Sequence, residues 1–332
     1  MLDERRGEVL RGLVQEHIRT GEPVSSRAIL DATALQVSPA TVRNDLAALD
    51  HDGFCVQPHT SAGRVPTAKA YRYYVDHLTA SPLRAPTRVR IHSFFSSVHI
   101  ELGKLLKATS DLLAELTQYP AVVVGPGLEG GIVWAAHLVQ LGPQVLLLVL
   151  VAEGGRVSQE VVRTPHPVDA ETVEAAEAVL TRVFTRRSVE VAAPAAAELV
   201  GELAGPVGEV VQAAVDAASR LDSQSADVYI GGTGQMATVF DDITTVRQML
   251  ELLEREALLL GMMSGAEGTS IHIGEELPGG RDVDIAVVST NYEVAGRGSG
   301  RVGVIGPMRM DYRRTISVVE EVGDGLAESL GS

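Results

Sequence analysis

Residues Ser38 to Thr67, SPATVRNDLAALDHDGFCVQPHTSAGRVPT, constrain this chain more than any other stretch. Ser-Pro at 38–39 is a helix N-cap followed by proline at the first helical position, where its missing N–H costs nothing. Val42, Leu46 and Leu49 then fall on one helical stripe, so Thr41, Arg43, Asn44 and Asp45 point elsewhere. Asp52-Gly53 stops the helix with the residue best able to enter the left-handed region. An apolar run, Phe54-Cys55-Val56, and a loop, Thr60 to Arg64, return to Val65 as a small hairpin. A capped helix with exposed Thr, Arg and Asn, followed by a hairpin with an arginine at its tip, predicts a winged helix. Its helix would enter the major groove and its hairpin would lie along the backbone or minor groove.

The preceding residues complete the plan. Val9, Leu10, Leu13, Val14, His17 and Ile18 share one face of a helix over 4–19, which Thr20-Gly21 ends. Ser25 or Ser26 caps a second short helix with Ile29 and Leu30 inward, and Ala34 to Val37 is the turn before Ser38. Charge is distributed to match. The chain of 332 residues carries a net −15, yet residues 1–90 hold 12 Lys+Arg against 10 Asp+Glu, while the rest hold 16 against 33. A weakly basic head on an acidic body suits a DNA-reading module attached to something else, and modest basicity implies two heads, hence a dimer.

Length suits two or three domains, and 45% hydrophobic residues give ample core. No apolar run approaches a membrane span. The charged start, MLDERRGEVL, predicts no secretory signal, and the single cysteine, Cys55, leaves no internal disulfide or cysteine-rich zinc site. The expected location is the cytoplasm.

Beyond the head, AKAYRYYVDHLTA (68–80) predicts a helix with Tyr71, Val75 and Leu78 in a stripe, and SPLRAPTR opens a linker over 81–90. A long helix is expected over 87–117. Strand patterns follow from Ala121 to Thr164. An Ala- and Glu-rich helical region runs from Asp169 to about Leu221, interrupted at Pro194 and Gly205-Pro206. A strand at 227–231, a helix over 243–263, three further strands and a last helix over 310–330 close the chain. Strands on both sides of a helical block predict an α+β domain carrying an insertion.

TGEPVSSRAI, SPATVRNDLAALDHDGF, QPHTSAGRVPTAKAYRYYVDHL and, far downstream, GRVGVIGPMRMDYRRTISVV resemble the HrcA family, the bacterial heat-inducible transcription repressors. The resemblance covers both ends of the chain in order, while about 150–240 matches in outline only. It implies a winged-helix DNA-binding domain (1–80), a linker (81–90), a GAF-like α+β domain (91–165 and 241–332) and an inserted helix-rich dimerisation domain (166–240). It further implies a dimer on an inverted-repeat operator before chaperone operons, kept active by a GroEL-type chaperonin and inactivated by heat. The helices of 169–221 are the candidate dimer surface. A second reading within transcription is a repressor whose GAF-like domain senses a small metabolite.

The candidate DNA contacts follow from side-chain chemistry. Arg43 and Asn44 are the types that read guanine and adenine edges, while Ser38 and Thr41 serve phosphates or bases. Asp45 is expected to pair with a nearby arginine. The wing supplies His59, Thr60, Ser61, Gly63 and Arg64, with Gly63 permitting the turn and Arg64 suited to a narrowed minor groove or a phosphate. Arg27 is a phosphate candidate on the second helix. GGTGQM (231–236) lacks the spacing of a phosphate loop, so its glycines read as turn residues. His92 and His99 share a helix face without a third ligand, so no metal is expected. Asp282 with Asp284, and Asp241-Asp242, fit no catalytic frame; no enzyme and no cofactor are expected. GPMRMDYRR (306–314) fits three readings, the lining of a GAF-type pocket, a hold of the last helix on the sheet, or an interface, and structure is favoured over ligand.

Overall fold

The structure is a computed structural model and describes residues 2–331 apart from 60–61, 79–81, 98–100, 127–131, 153–156, 202, 204, 225–226, 236–245, 248, 251–252, 254–255, 264–267, 278–283 and 295–297. The head opens with α1 (Glu4–Thr20), α2 (Ser26–Ala32) and α3 (Pro39–His51). Asp3, Ser25 and Ser38 cap them by accepting from the N–H three residues on. Gly21 ends α1 at φ 72° and Gly53 follows α3 at φ 78°, both left-handed. Val9, Leu10, Leu13, Ile29, Val42, Leu46 and Leu49 close a core beneath them. Strands β1 (Cys55–Val56) and β2 (Val65–Pro66) pair antiparallel, and a bridge between Val24 and Arg64 adds a third short partner.

Helix α4 (Ala68–Asp76) is shorter than its pattern suggests, and its Tyr71, Tyr74 and Val75 are buried. The expected long helix over 87–117 is two: α5 (Ala85–Ser97) and α6 (Leu102–Thr117). Each buries its stripe against a different partner. Phe95 of α5 lies against Gly325, where a Cβ would come within 2.6 Å of the ring. Helix α6 lies on the sheet, with the Ser110 carbonyl 2.3 Å from where a Cβ on Gly231 would sit. Residues 85–90, six of the ten in the expected linker, are helical.

The main sheet has five antiparallel strands in the order β7-β3-β10-β9-β8: β3 (Ala121–Val124), β7 (Val228–Gly231), β8 (Ser270–Ile273), β9 (Ile285–Val294) and β10 (Gly298–Pro307). Alternation along the strands splits its two faces. Val123, Ala286, Val288, Val302 and Val304 pack with α6 and the last helix, α11 (Tyr312–Gly331). Val122, Val124, Val287 and Ile305 pack on the other side with Met249, Leu253 and α10 (Glu256–Met263).

Strands β3 and β7 are neighbours in this sheet, and the chain between them forms a second packed unit. There, β4 (Val133–Gly142), β5 (Val145–Ala152) and β6 (Val157–Arg163) make a separate antiparallel sheet. Its inner face shares one core with α7 (Ala170–Phe184), α8 (Val189–Val200) and α9 (Pro206–Gln224). The expected boundary at 165/166 therefore cuts through this unit, because the apolar alternation of β5 is satisfied by the helices and not by the five-stranded sheet. Pro194 does not interrupt the helical region as expected; α8 runs through it, and the breaks fall at 185–188 and 201–205. No helix among the described residues is long and apolar enough to cross a membrane.

The head is continuous with the body. Head and five-stranded sheet share one apolar cluster, with Tyr71 of α4 and Tyr312 of α11 6.2 Å apart between ring centroids.

Candidate nucleic-acid interface

Helix α3 turns one stripe inward and leaves the opposite one free. Ala40, Arg43, Asn44 and Ala47 are exposed on it, two polar side chains between two methyl groups that let a groove approach closely. Ser38 sits at the helix start, its Oγ accepting from the Thr41 N–H at 3.1 Å and lying 3.0 Å from Thr41 Oγ1. Both hydroxyls are thus positioned by each other.

Asp45, which would repel phosphate if it faced outward, is buried and gripped. Arg5 donates through Nε and Nη2 to its two carboxylate oxygens at 2.9 and 3.0 Å, and Arg6 lies 3.7 Å away. The expected pairing with an arginine holds, and its partner stands forty residues earlier in the chain, on α1.

Other charges of the head are tied down in the same way. Arg11 pairs with Glu8, Arg19 with Glu16 and Arg72 with Glu276. Lys69 donates to the Asp52 carbonyl at 2.8 Å and lies over the Phe54 ring. Among the described residues of the head, Arg27 and Arg43 are the cations left without a partner, both exposed and both on the helix-turn-helix. A surface whose other guanidiniums are neutralised internally concentrates its positive field on these two.

The wing differs from expectation at two positions. Arg64 is not at the tip; it immediately precedes β2, with 17% of its side chain exposed, and pairs with Asp50 of α3 at 3.2 Å. Its main chain exchanges hydrogen bonds with Val24 at 2.8 and 2.9 Å. It therefore ties the wing to the helices. Gly63 has no left-handed backbone; a Cβ there would stand 2.4 Å from the Val24 carbonyl oxygen, so close approach and not turn geometry requires glycine. The tip is 57–62, where His59 is exposed, Ala62 N–H donates to the His59 carbonyl at 2.9 Å and Gln57 Nε2 donates to the Ala62 carbonyl at 3.1 Å. Thr60 and Ser61 lie outside the described residues.

Cys55 lies beneath α3, buried, its thiol donating to the Leu46 carbonyl. Burial pushes that thiol up to about 11, which makes it an inert core group. Behind the interface, His17 of α1 and Tyr71 of α4 share a 2.7 Å hydrogen bond. Burial, assisted by the Arg309 charge, holds His17 below the ordinary histidine value, and burial raises the Tyr71 hydroxyl. No pattern local to α1 or α4 announces this contact, which spans 54 residues.

Of the remaining candidates, those among the described residues make contacts within the fold. Gly231 of GGTGQM packs on the Ser110 carbonyl and Gly232 takes φ 73° before a single 3-10 turn. In GPMRMDYRR, Met310 and Tyr312 are wholly buried, and the Tyr312 hydroxyl donates to the Met308 carbonyl at 2.8 Å. Asp284 is exposed, with its carbonyl accepting from Met308 N–H; Asp241, Asp242, Asp282 and His99 lie outside the described residues. His92 pairs with Glu321 at 3.1 Å, and no group of three or more metal-ligating side chains occurs among the described residues.

Residues 103–316 match the family model described as the HrcA protein C terminal domain. The chain is 38% identical to a heat-inducible transcription repressor HrcA of Parafrankia sp. (strain EAN1pec), with all of both chains aligned. It is 36% identical to the protein of that name from Mycobacterium leprae, across 99% of this chain and 98% of the other. A solved crystal structure of a hypothetical protein shares the fold at a TM-score of 0.61, with 24% identity over 100% of this chain and 99% of that one.

Proposed function

The chain belongs to the HrcA family of heat-inducible transcription repressors, not to an enzyme family, and from that premise we propose that it represses chaperone operons by binding an inverted-repeat operator as a dimer. One observation carries the DNA-binding part: of the described cations in the head, Arg27 and Arg43 stay unpaired, on the two helices that a helix-turn-helix presents to DNA. In this reading Arg43 and Asn44 meet base edges from α3, with Ser38 and Thr41 at its start and Arg27 on flanking phosphates. His59, Thr60 and Ser61 supply the wing contact, and Gly63 with Arg64 holds the wing in place. A repressor of bacterial operons works in the cytoplasm, where the chromosome is.

The dimer is best served by the outer face of the three-stranded sheet. The helices of 170–224 turn their apolar faces inward, whereas Trp134 is 63% and Leu141 59% exposed, and Val139, Leu147 and Val161 stand side by side across the three strands. A contiguous apolar patch of this kind marks an interface. Two-fold pairing there would carry two heads to the two halves of a palindromic site.

The body corresponds to the GAF-like domain that the resemblance implies, and the unit between β3 and β7 to the inserted dimerisation domain. Modulation by a GroEL-type chaperonin, with loss of repression on heating, rests on the same resemblance. A gel-shift titration with an inverted-repeat chaperone-promoter duplex beside a scrambled one, at two salt concentrations and with or without chaperonin, tests the whole reading. Selective, salt-sensitive binding supports it; equal binding to both duplexes under every condition refutes it.

A further inference from the structure

We propose that the cleft between the first turns of α5 and α11 binds a small phosphate-bearing anion. The cleft holds about 390 Å³ and is lined by Arg84 and Thr87 from the start of α5 and by Asp311, Arg313 and Arg314 from the start of α11. This volume falls within the range of small-molecule sites.

Its charge is the main observation. Neighbouring arginines are matched: Arg88 with Glu321 at 3.2 Å and Arg90 with Glu115. Arg84 and Arg313 have no such partner among the described residues, in a chain with 43 acidic side chains and a net −15. Arg314 is steadied by donating through Nη2 to the Leu116 carbonyl at 2.8 Å, which leaves its other N–H groups free of that bond. The one carboxylate of the lining, Asp311, accepts from the Arg314 N–H at 3.2 Å as a helix cap and is engaged with its own helix. Three guanidiniums against one capping carboxylate repel one another across the cleft, and an anion between them removes that repulsion. Guanidinium forks match phosphate oxygens in pairs, and both helices direct their positive ends toward the space. A single carboxylate would leave positive charge uncompensated, which favours a group carrying two or more negative charges.

Nothing in this proposal depends on the DNA-binding reading. The test is isothermal titration calorimetry of the full chain with inorganic pyrophosphate, at low and high ionic strength, with orthophosphate and a nucleoside diphosphate in parallel arms to distinguish free phosphate from nucleotide. One pyrophosphate per chain is expected, weakening with salt. Arg84→Gln, at an exposed side chain, and Arg313→Gln should each weaken it by at least about tenfold, since a hydrogen bond to a charged group contributes about 1.5–3 kcal/mol. Arg27→Gln with Arg43→Gln should leave it unchanged. Absence of saturable binding, binding unaffected by Arg84→Gln, or equal loss in the Arg27/Arg43 variant would overturn the proposal.

Discussion

The Arg72 guanidinium grips Glu276 through Nε and Nη2, at 2.8 and 2.5 Å, across 204 residues of sequence, while Nη2 also reaches the Ile271 carbonyl. Arg72 stands on α4, the last helix of the head, and Glu276 follows strand β8 of the body. Burial opposes ionisation of Glu276, but hydrogen bonds from Arg72 and the Ile273 N–H outweigh it and hold the carboxyl below the usual range. With Tyr71 against Tyr312, this pair makes the orientation of the head a property of the body. Arg72→Ala is expected to speed hydrogen exchange across α4 while leaving exchange in β9 and β10 unchanged.

Arg43→Ala should weaken operator binding by about 1–3 kcal/mol, roughly 5- to 150-fold, with loss of sequence selectivity and an unchanged melting temperature. Arg27→Ala should instead weaken binding to operator and scrambled duplex alike and reduce the salt slope by about 1. Titrations at several salt concentrations separate the two.

Removing one side of the Arg5–Asp45 pair should have unequal effects. Arg5→Ala leaves the buried Asp45 carboxylate with only the longer Arg6 contact at 3.7 Å, whereas Asp45→Asn frees a guanidinium that already meets water. The first should lower the melting temperature by several degrees and the second by less, as scanning calorimetry would show.

Gly63→Ala should cost about 1–3 kcal/mol, because the new Cβ meets the Val24 carbonyl at 2.4 Å in packed surroundings. Gly53→Ala meets nothing within 4 Å and should cost about 1–2 kcal/mol through its left-handed backbone. Urea unfolding measures both, and only Gly63→Ala should also impair DNA binding.

Acidification should act in two stages. His17 titrates lower folded than its ordinary 6.5, so the stability it supports is full above 6.5 and is lost as pH falls through the lower folded value. Glu276 follows the same sign from 4.5 downward. Melting temperature should fall as pH drops below about 6.5, and His17→Gln should flatten that slope.

Trp134→Asp with Val139→Asp should convert a dimer to monomers in sedimentation equilibrium and weaken operator binding by at least about tenfold, since the second head then binds independently.

Sequence by itself determined the elements of the head and the character of both sheets. Ser38-Pro39, the stripe of Val42, Leu46 and Leu49, and Gly53 act within a turn or two of the helix they define, while β3 and the start of β9 announce themselves by continuous apolar runs and β10 by Val302 and Val304 at period two. The exposure of Arg43 and Asn44 followed from the same periodicity. Tertiary structure decided which partner each group meets. Arg64 reads as a wing-tip cation until Asp50 and the Val24 main chain claim it, and Gly63 reads as a turn glycine until the Val24 carbonyl is placed beside it. The strands of 133–163 could serve either sheet by pattern alone; docking of α7 to α9 assigns them. Arg5 with Asp45, His17 with Tyr71 and Arg72 with Glu276 lie 40, 54 and 204 residues apart. Hydrogen bonds and ion pairs act over a few ångströms of space, and only the folded chain brings such distant residues within that range.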